Sequence, residues 1–126
     1  MDAPTTDELG RLRIFGGLGS ASLATLAGAA ERRRLGDGTT LYEQGLPASD
    51  LFVVTSGRVS LRVADGDRWT TVQSVTAEDL LGWSALREDA HWLTTARALG
   101  PVEVIAIPLA TVLDVIEAGG PDARRL

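Results

Sequence analysis

The residues best suited to chemistry lie in two short stretches of the chain. These stretches are Leu81-Gly82-Trp83-Ser84-Ala85-Leu86 and Trp92-Leu93-Thr94-Thr95-Ala96, together called the central cassette below. Gly82 can adopt backbone angles closed to other residues, and the Ser-Ala-Leu that follows it can form one turn of helix. Free N–H groups at the start of such a turn can bind an anion or a polar ligand. We therefore expect any binding site of this protein to lie here.

The sequence offers little support for other chemistry. His91 is the only histidine and there is no cysteine, so a metal site would depend on one ligand, and a solvated loop histidine is the better interpretation. Ser84 lies near His91, but a catalytic triad also needs an orienting acid and an oxyanion hole. Asp65-Gly66-Asp67 lacks the other ligands of a calcium loop and predicts a turn. We expect no enzyme, no metal and no cofactor.

Length and composition narrow the possibilities further. With 126 residues the chain is long enough for one domain and too short for two, so we expect a single domain over 1–126 with a core at about 12–118. A net charge of −5 argues against a general nucleic-acid binder. No run has the length of a membrane span, and the N-terminus lacks a signal-peptide pattern. Without cysteine, a reducing cytoplasm is the expected compartment.

Two helices are predicted before the first strand. Leu9, Leu12 and Phe15 recur at helical spacing, and Ser20 is the predicted N-cap of a second helix that runs to about Ala30. The charged run Glu31-Arg32-Arg33-Arg34 follows. Three arginines could contact a phosphate or an acidic partner, but a solvated helix end favoured by the helix dipole is the simpler interpretation.

The pattern then changes from helical to extended. The run 51–54 predicts a strand that is buried on both faces, and Ser56-Gly57 predicts a hairpin turn. The next strand alternates apolar and polar residues, which predicts one core face and one solvent face. Its apolar members are Val59, Leu61 and Val63, and its polar members are Arg58, Ser60 and Arg62. Residues 94–99 and 102–107 predict two further strands joined by Gly100-Pro101.

A last helix is predicted to begin at Pro108 and to end at Gly119-Gly120-Pro121. Its core-facing stripe is Leu109, Val112, Leu113 and Ile116. Many short strands bracketed by helices predict an α+β protein, mainly β, with a barrel or roll at its centre.

The order of these motifs resembles that of a cyclic nucleotide-binding domain. The motifs are a helix with Leu-x-x-Leu, then Gly-x-x-Leu-Tyr-Glu-Gln-Gly at 38–45, Asp-Leu-Phe-Val-Val at 50–54 and Ser-Gly-Arg-Val at 56–59. The resemblance extends over about 12–116, and its turn glycines match at Gly38, Gly45, Gly57 and Gly82. It implies an eight-stranded jelly roll, or β-roll, with flanking N- and C-terminal helices.

The resemblance fails at the two charged anchors of the family's cassette. The family pattern is Phe-Gly-Glu-x-Ala-Leu, a loop, then Arg-(Ser/Thr/Ala)-Ala-Thr, in which the Glu binds the ribose hydroxyl and the Arg pairs with the cyclic phosphate. The Glu position is Trp83 here, and by the family's spacing the Arg position is Trp92. Losing one buried charge partner costs roughly 2–5 kcal/mol. Two such losses weaken binding by several powers of ten.

The resemblance therefore implies a non-catalytic regulatory or ligand-sensing module that does not bind cAMP or cGMP in the usual way. Its candidate site residues are Gly82, Trp83, Ser84, Ala85, Leu86, Trp92, Leu93, Thr94 and Thr95. The two tryptophans either line a reshaped pocket for an unidentified small molecule or fill the pocket of a structural or protein-interaction domain. A third alternative is a genuine cyclic-nucleotide sensor that uses Arg87 or Arg97. The output would pass to a partner protein through movement of the last helix.

Overall fold

Two long, bent strands form the centre of the fold. The computed structural model describes residues 4–12, 15, 18–77, 79–81 and 91–118. The helices are α1 (Thr6–Arg11), α2 (Ser20–Ala29) and α3 (Leu109–Ala118). The strands are β1 (Glu31–Leu35), β2 (Thr40–Tyr42), β3 (Asp50–Asp65), β4 (Arg68–Val75), β5 (Leu80–Leu81) and β6 (Thr95–Pro108). The fold is thus mainly β with flanking helices, as the sequence predicts.

The strands pair antiparallel around β3 and β6. These two pair with each other from Asp50 opposite Pro108 to Arg62 opposite Thr95. The sheet order is β1-β6-β3-β4, while β2 also pairs with β6 and β5 with β3. Since β6 contacts three other strands, it fixes the positions of most of the sheet.

The glycines at 57 and 100 bend these strands without ending them. Gly57 has φ 89° and Gly100 has φ 81°, and the β3–β6 register shifts on either side of Ser56. The predictions of a hairpin turn at Ser56-Gly57 and of two separate strands at 94–99 and 102–107 are therefore wrong. Both halves of β3 keep β6 as their partner, so the chain changes direction within one ladder. When each half of β3 and β6 is counted separately, the described residues contain eight strand segments, the number expected of the roll.

The alternation predicted for β3 holds with one exception. All residues of 51–54 are buried, and Val59 and Leu61 face the same core. Ser60, however, is only 1% exposed, although it was predicted on the solvent face. The Arg62 side chain covers it, and the Arg62 Nε donates a hydrogen bond to the Ser60 Oγ at 3.3 Å.

The segment around residues 19–35 differs from its prediction at both ends of α2. The N-cap is Gly19 and Ser20 is the first helical residue, so the Ser20 cap is wrong. Helix α2 ends at Ala29, and the charged run after it forms β1 instead of a helix end. Pairing with β6, in the register Glu31 opposite Ala106, holds this run extended.

Helix α3 packs on the roll through a stripe that differs from the predicted one by one residue. Its first N–H, that of Leu109, donates to the Ser49 carbonyl at 3.0 Å. Val112 and Val115 are buried, while Leu113 is 37% exposed, so Val115 takes the place predicted for Leu113. The predicted terminator at 119–121 lies outside the described residues. No helix in the described ranges is long and apolar enough to cross a membrane.

Candidate ligand-binding site

Trp92 is held in place by backbone hydrogen bonds before β6 begins. Its N–H donates to the Leu46 carbonyl at 2.9 Å, and its carbonyl accepts from the Gly45 N–H at 2.8 Å. A β-bridge between Pro47 and His91 extends this pairing by one position. Trp92 is therefore fixed to the turn that follows β2.

The Trp92 side chain lies inside the roll. It is 7% exposed, and its ring stacks on that of Tyr42 with centroids 3.7 Å apart and planes at 13°. Phe52 completes the group, with its centroid 6.0 Å from each of the other two rings. We call Tyr42, Phe52 and Trp92 the aromatic cluster.

The aromatic cluster contains two polar groups, the Tyr42 hydroxyl and the Trp92 indole N–H. Burial raises the pKa of Tyr42 above its ordinary value, and a hydrogen bond with the Thr94 side chain opposes that shift in part. The hydroxyl is thus neutral at physiological pH and offers hydrogen bonding without charge. The aromatic cluster brings no positive charge to the position of the family's arginine.

Most of the other predicted site residues either lie outside the described residues or make no described contact with Trp92. Gly82, Trp83, Ser84, Ala85 and Leu86 lie outside the described residues. Leu93 is 73% exposed. Thr95 lies opposite Arg62 in the β3–β6 ladder, next to the buried Ala96, and its Oγ1 accepts a hydrogen bond from the Gln44 N–H at 2.9 Å. Among the predicted site residues that the structure describes, Thr94 alone is linked to Trp92, through its hydrogen bond with Tyr42.

Of the two arginines considered as substitutes for the phosphate-binding arginine, one lies among the described residues. Arg87 lies outside the described residues. Arg97 is exposed and alternates with Ala96 and Ala98, which are both buried in the core. Its Nε donates to the Gly38 carbonyl at 3.2 Å, on the outer side of the sheet. The Arg97 guanidinium is therefore separated from Trp92 by the sheet.

Sequence reasoning missed the partners of Trp92. The sequence predicts Phe52 only as a strand residue and Arg33 only as part of a solvated helix end, and Tyr42 enters only through the motif at 38–45. The Arg33 guanidinium carbon lies 5.8 Å from the centroid of the Phe52 ring, a cation–π distance. The available signal was the scarcity of aromatics, because the chain holds only three Trp, two Phe and one Tyr. Three of these six residues meet in one cluster.

Metal chemistry finds no support in the described ranges. No three side chains of histidine, cysteine, aspartate or glutamate within them are close enough together to hold a metal ion.

The described residues form a β-roll with flanking helices. The family model for the cyclic nucleotide-binding domain matches residues 32–118. The chain belongs to the cyclic nucleotide-binding domain family. Domains of this family are regulatory modules that bind small molecules and often control partner output domains. A search of curated proteins found no match.

Solved structures share the fold over nearly the whole chain. A putative cyclic nucleotide-binding protein from Geobacter metallireducens is 25% identical, with a TM-score of 0.85 over 98% of this chain and 89% of that one. The sensor domain of the transcriptional regulator DNR from Pseudomonas aeruginosa is 17% identical, with a TM-score of 0.84 over 96% and 86%. The regulatory subunit of a cAMP-independent protein kinase A from Trypanosoma cruzi, bound to guanosine, is 20% identical, with a TM-score of 0.76 over 92% and 40%.

Proposed function

We propose that this chain is a non-catalytic regulatory module of the cyclic nucleotide-binding fold that does not bind cAMP or cGMP in the usual way. The observation that carries this proposal is the aromatic cluster. Trp92 takes the position of the phosphate-binding arginine and is 7% exposed, stacked on Tyr42.

Charge and space both oppose the binding of a cyclic phosphate at Trp92. A cyclic phosphate that enters the roll loses its water and needs a cation or several donors in return. At Trp92 it would meet an apolar ring. The ring also fills volume, since the Tyr42 and Trp92 centroids are 3.7 Å apart and no ligand atom fits between them.

One solved structure of this fold is described as regulatory and independent of cAMP. The Pseudomonas aeruginosa protein is described as a sensor domain of a transcriptional regulator, and the Trypanosoma cruzi protein as a cAMP-independent regulatory subunit bound to guanosine. At 17% and 20% identity these likenesses concern the fold alone. They support the proposal because the fold carries regulation without cAMP in another protein.

Helix α3 is the proposed output element. It follows β6 directly, and its start is tied to Ser49 just before β3 by the hydrogen bond from Leu109. Val112 and Val115 anchor it to the core. A change in the central cassette that repositions these anchors would alter the surface that α3 offers to a partner protein.

The direct test is calorimetric titration of the full chain with cAMP and cGMP up to millimolar concentrations. We expect no saturable heat. NMR spectra recorded in parallel follow the indole N–H resonances, and the Trp69→Thr variant serves as control because it removes an exposed ring and leaves Trp92 in place. Micromolar binding that persists in this variant and shifts the Trp92 resonance would overturn the proposal.

A protein-interaction domain is the second candidate, and one observation favours it. Leu46 and Leu93 are 52% and 73% exposed, and they flank the backbone pairing that holds Trp92. Two exposed leucines beside the aromatic cluster form an apolar contact surface. If the chain is the regulatory module proposed first, replacing Leu46 and Leu93 with serine leaves its function unchanged. In the second candidate, the double variant loses its partner while the free energy of unfolding stays the same.

A further inference from the structure

A groove lies on the outer side of the sheet, where β2, the β3–β4 hairpin and β6 meet. It consists of two adjoining cavities of about 540 and 180 Å³ that share Thr40, Trp69 and Thr95. The larger cavity is also lined by Glu43, Gln44, Gly45 and Ala64, and the smaller by Arg62 and Arg97. We call this the outer groove. Its combined size is that of a small-molecule site.

The outer groove and the aromatic cluster lie on opposite faces of the sheet. Trp69 is paired with Ala64, and Arg62 with Thr95, in positions that alternate with the buried Leu61 and Ala96. Side chains alternate between the two faces along a strand. The outer groove is therefore distinct from the site that the family uses.

Trp69 supplies a stacking surface. Its side chain is 57% exposed, which is unusual for the largest apolar residue. Rings of this kind stack planar ligands face to face or offset, and such contacts contribute affinity beyond the area they bury. Because Trp69 lines both cavities, a ring stacked on it would sit where they join.

Arg62 and Arg97 make the smaller cavity cationic. Each is held through its Nε, by the Ser60 Oγ at 3.3 Å and by the Gly38 carbonyl at 3.2 Å respectively. Within the described part of the chain, neither forms an ion pair with a carboxylate. Two arginines that are held in place but not neutralised, on a protein of net charge −5, form a local site for an anion.

The opposite end of the outer groove has different chemistry. Glu43 lines only the larger cavity. A carboxylate there repels a second anionic group and accepts hydrogen bonds from an amine or a hydroxyl. The outer groove is thus positive at the end formed by Arg62 and Arg97 and negative at the end formed by Glu43. This arrangement favours a ligand with a single acidic group, bound at the arginine end.

We propose that the outer groove binds a small planar aromatic acid. The ring stacks on Trp69, and the acidic group lies between Arg62 and Arg97, where planar guanidinium groups can bind it through paired hydrogen bonds. This proposal goes beyond the regulatory function proposed above and does not depend on it, since the two concern opposite faces of the sheet.

The test uses three probes with the full-length chain. They are 2-naphthoate, its uncharged analogue 2-naphthamide, and acetate, which has the charge without the ring. We expect naphthoate to bind saturably and to shift the Trp69 indole N–H resonance, and each of the other two to bind at least tenfold more weakly. None contains a purine or a phosphate, so the result is independent of cyclic-nucleotide binding.

Variants then locate the site. Arg62→Gln/Arg97→Gln and Trp69→Thr should each weaken naphthoate binding at least tenfold. Arg68→Gln, which removes an exposed arginine beside Trp69 that does not line the groove, should leave it unchanged. Absence of a Trp69 shift with naphthoate, equal affinity for naphthamide, or unchanged binding by the double arginine variant would each overturn the proposal. Comparing the three probes on the wild-type protein tests the proposal even if a variant fails to fold.

Discussion

Gly57 lies against the backbone of Pro101, so that a Cβ at position 57 would stand 2.4 Å from the Pro101 carbonyl oxygen. The Cα of Val102 would be 3.0 Å away. Neither neighbour is the flexible end of a side chain, so neither can yield without moving β6. The bends of β3 and β6 therefore fit together only because residue 57 has no side chain.

The first prediction concerns this contact. Gly57→Ala should lower the free energy of unfolding by roughly 2–4 kcal/mol, because φ 89° is strained for alanine and the added methyl group meets backbone atoms. Urea unfolding followed by circular dichroism measures the change. The control is Gly28→Ala in α2, where a Cβ meets nothing within 4 Å and should stabilise the helix by up to ~1 kcal/mol. Equal effects of the two substitutions would contradict this account of the bend.

The second prediction concerns the aromatic cluster. Trp92→Ala should cost about 3–5 kcal/mol in unfolding free energy, since it removes a buried ring that stacks on Tyr42. Trp69→Ala removes the same side chain from a site that is 57% exposed and should change stability by no more than ~0.5 kcal/mol. Thermal and urea unfolding of both variants measure the difference. A Trp92→Ala protein as stable as the wild type would show that the interior at this position is open and not filled.

Glu103 connects three strands through charge. Its carboxylate accepts hydrogen bonds from the Thr55 Oγ1 at 2.8 Å, the Arg32 Nη1 at 3.1 Å and the Arg34 Nε at 3.3 Å. Arg32 also pairs with Glu8 of α1, which raises the pKa of Arg32. The Thr55 hydrogen bond, followed by the two arginines, lowers the pKa of Glu103 below its ordinary value. The charged run that was predicted as a solvated helix end is thus part of this network.

The third prediction follows from the direction of that shift. A carboxylate with a lowered folded-state pKa stabilises the protein fully above its ordinary pKa of 4.5, and this contribution is lost as the pH falls through the lower folded value. Glu103→Gln should therefore cost about 1–3 kcal/mol at pH 7, and the difference from wild type should shrink below pH ~4. Urea unfolding at a series of pH values measures both.

The matched control for Glu103 is Glu31 on β1. Its carboxylate pairs with Arg33 at 3.5 Å, but the two side chains are 56% and 35% exposed. Exposed pairs of this kind contribute little, so Glu31→Gln should change stability by less than ~0.5 kcal/mol at every pH. A Glu103→Gln difference that does not depend on pH would show that the hydrogen bonds act without the charge.

The sequence was informative where a pattern reports local burial. The strand at 51–54, the turns around Gly38 and Gly66 and the start of the last helix follow from residue types within a few positions. The bends at Gly57 and Gly100 could not be predicted this way. A glycine with positive φ is equally suited to a hairpin turn and to a bend within a strand. The difference depends on whether both halves of the segment pair with the same neighbouring strand.

The candidate site, too, could be predicted from the sequence only in part. Motif spacing placed Trp92 at the phosphate-arginine position, but spacing does not say what a side chain contacts. Its stacking on Tyr42 depends on Gly45 and Leu46 holding its backbone, a pairing between distant segments. Arg62 and Arg97 were separated by 35 positions in sequence and share the outer groove only because their strands are neighbours. Pairings of this kind are tertiary and leave no local pattern.

The role of β6 as the partner of β1, β2 and β3 has a consequence for biosynthesis. Residues 31–65 leave the ribosome well before residues 95–108. Strands β1, β2 and β3 are therefore synthesised before β6, the strand with which all three pair. Until then the described partners of β3 are β4 and, opposite Phe52 and Val53, β5, so the apolar run at 51–54 lacks the β6 side of its ladder. Ladders between distant segments form slowly and leave the partly made chain open to aggregation. The nascent chain is therefore the state of this protein that most needs chaperone protection.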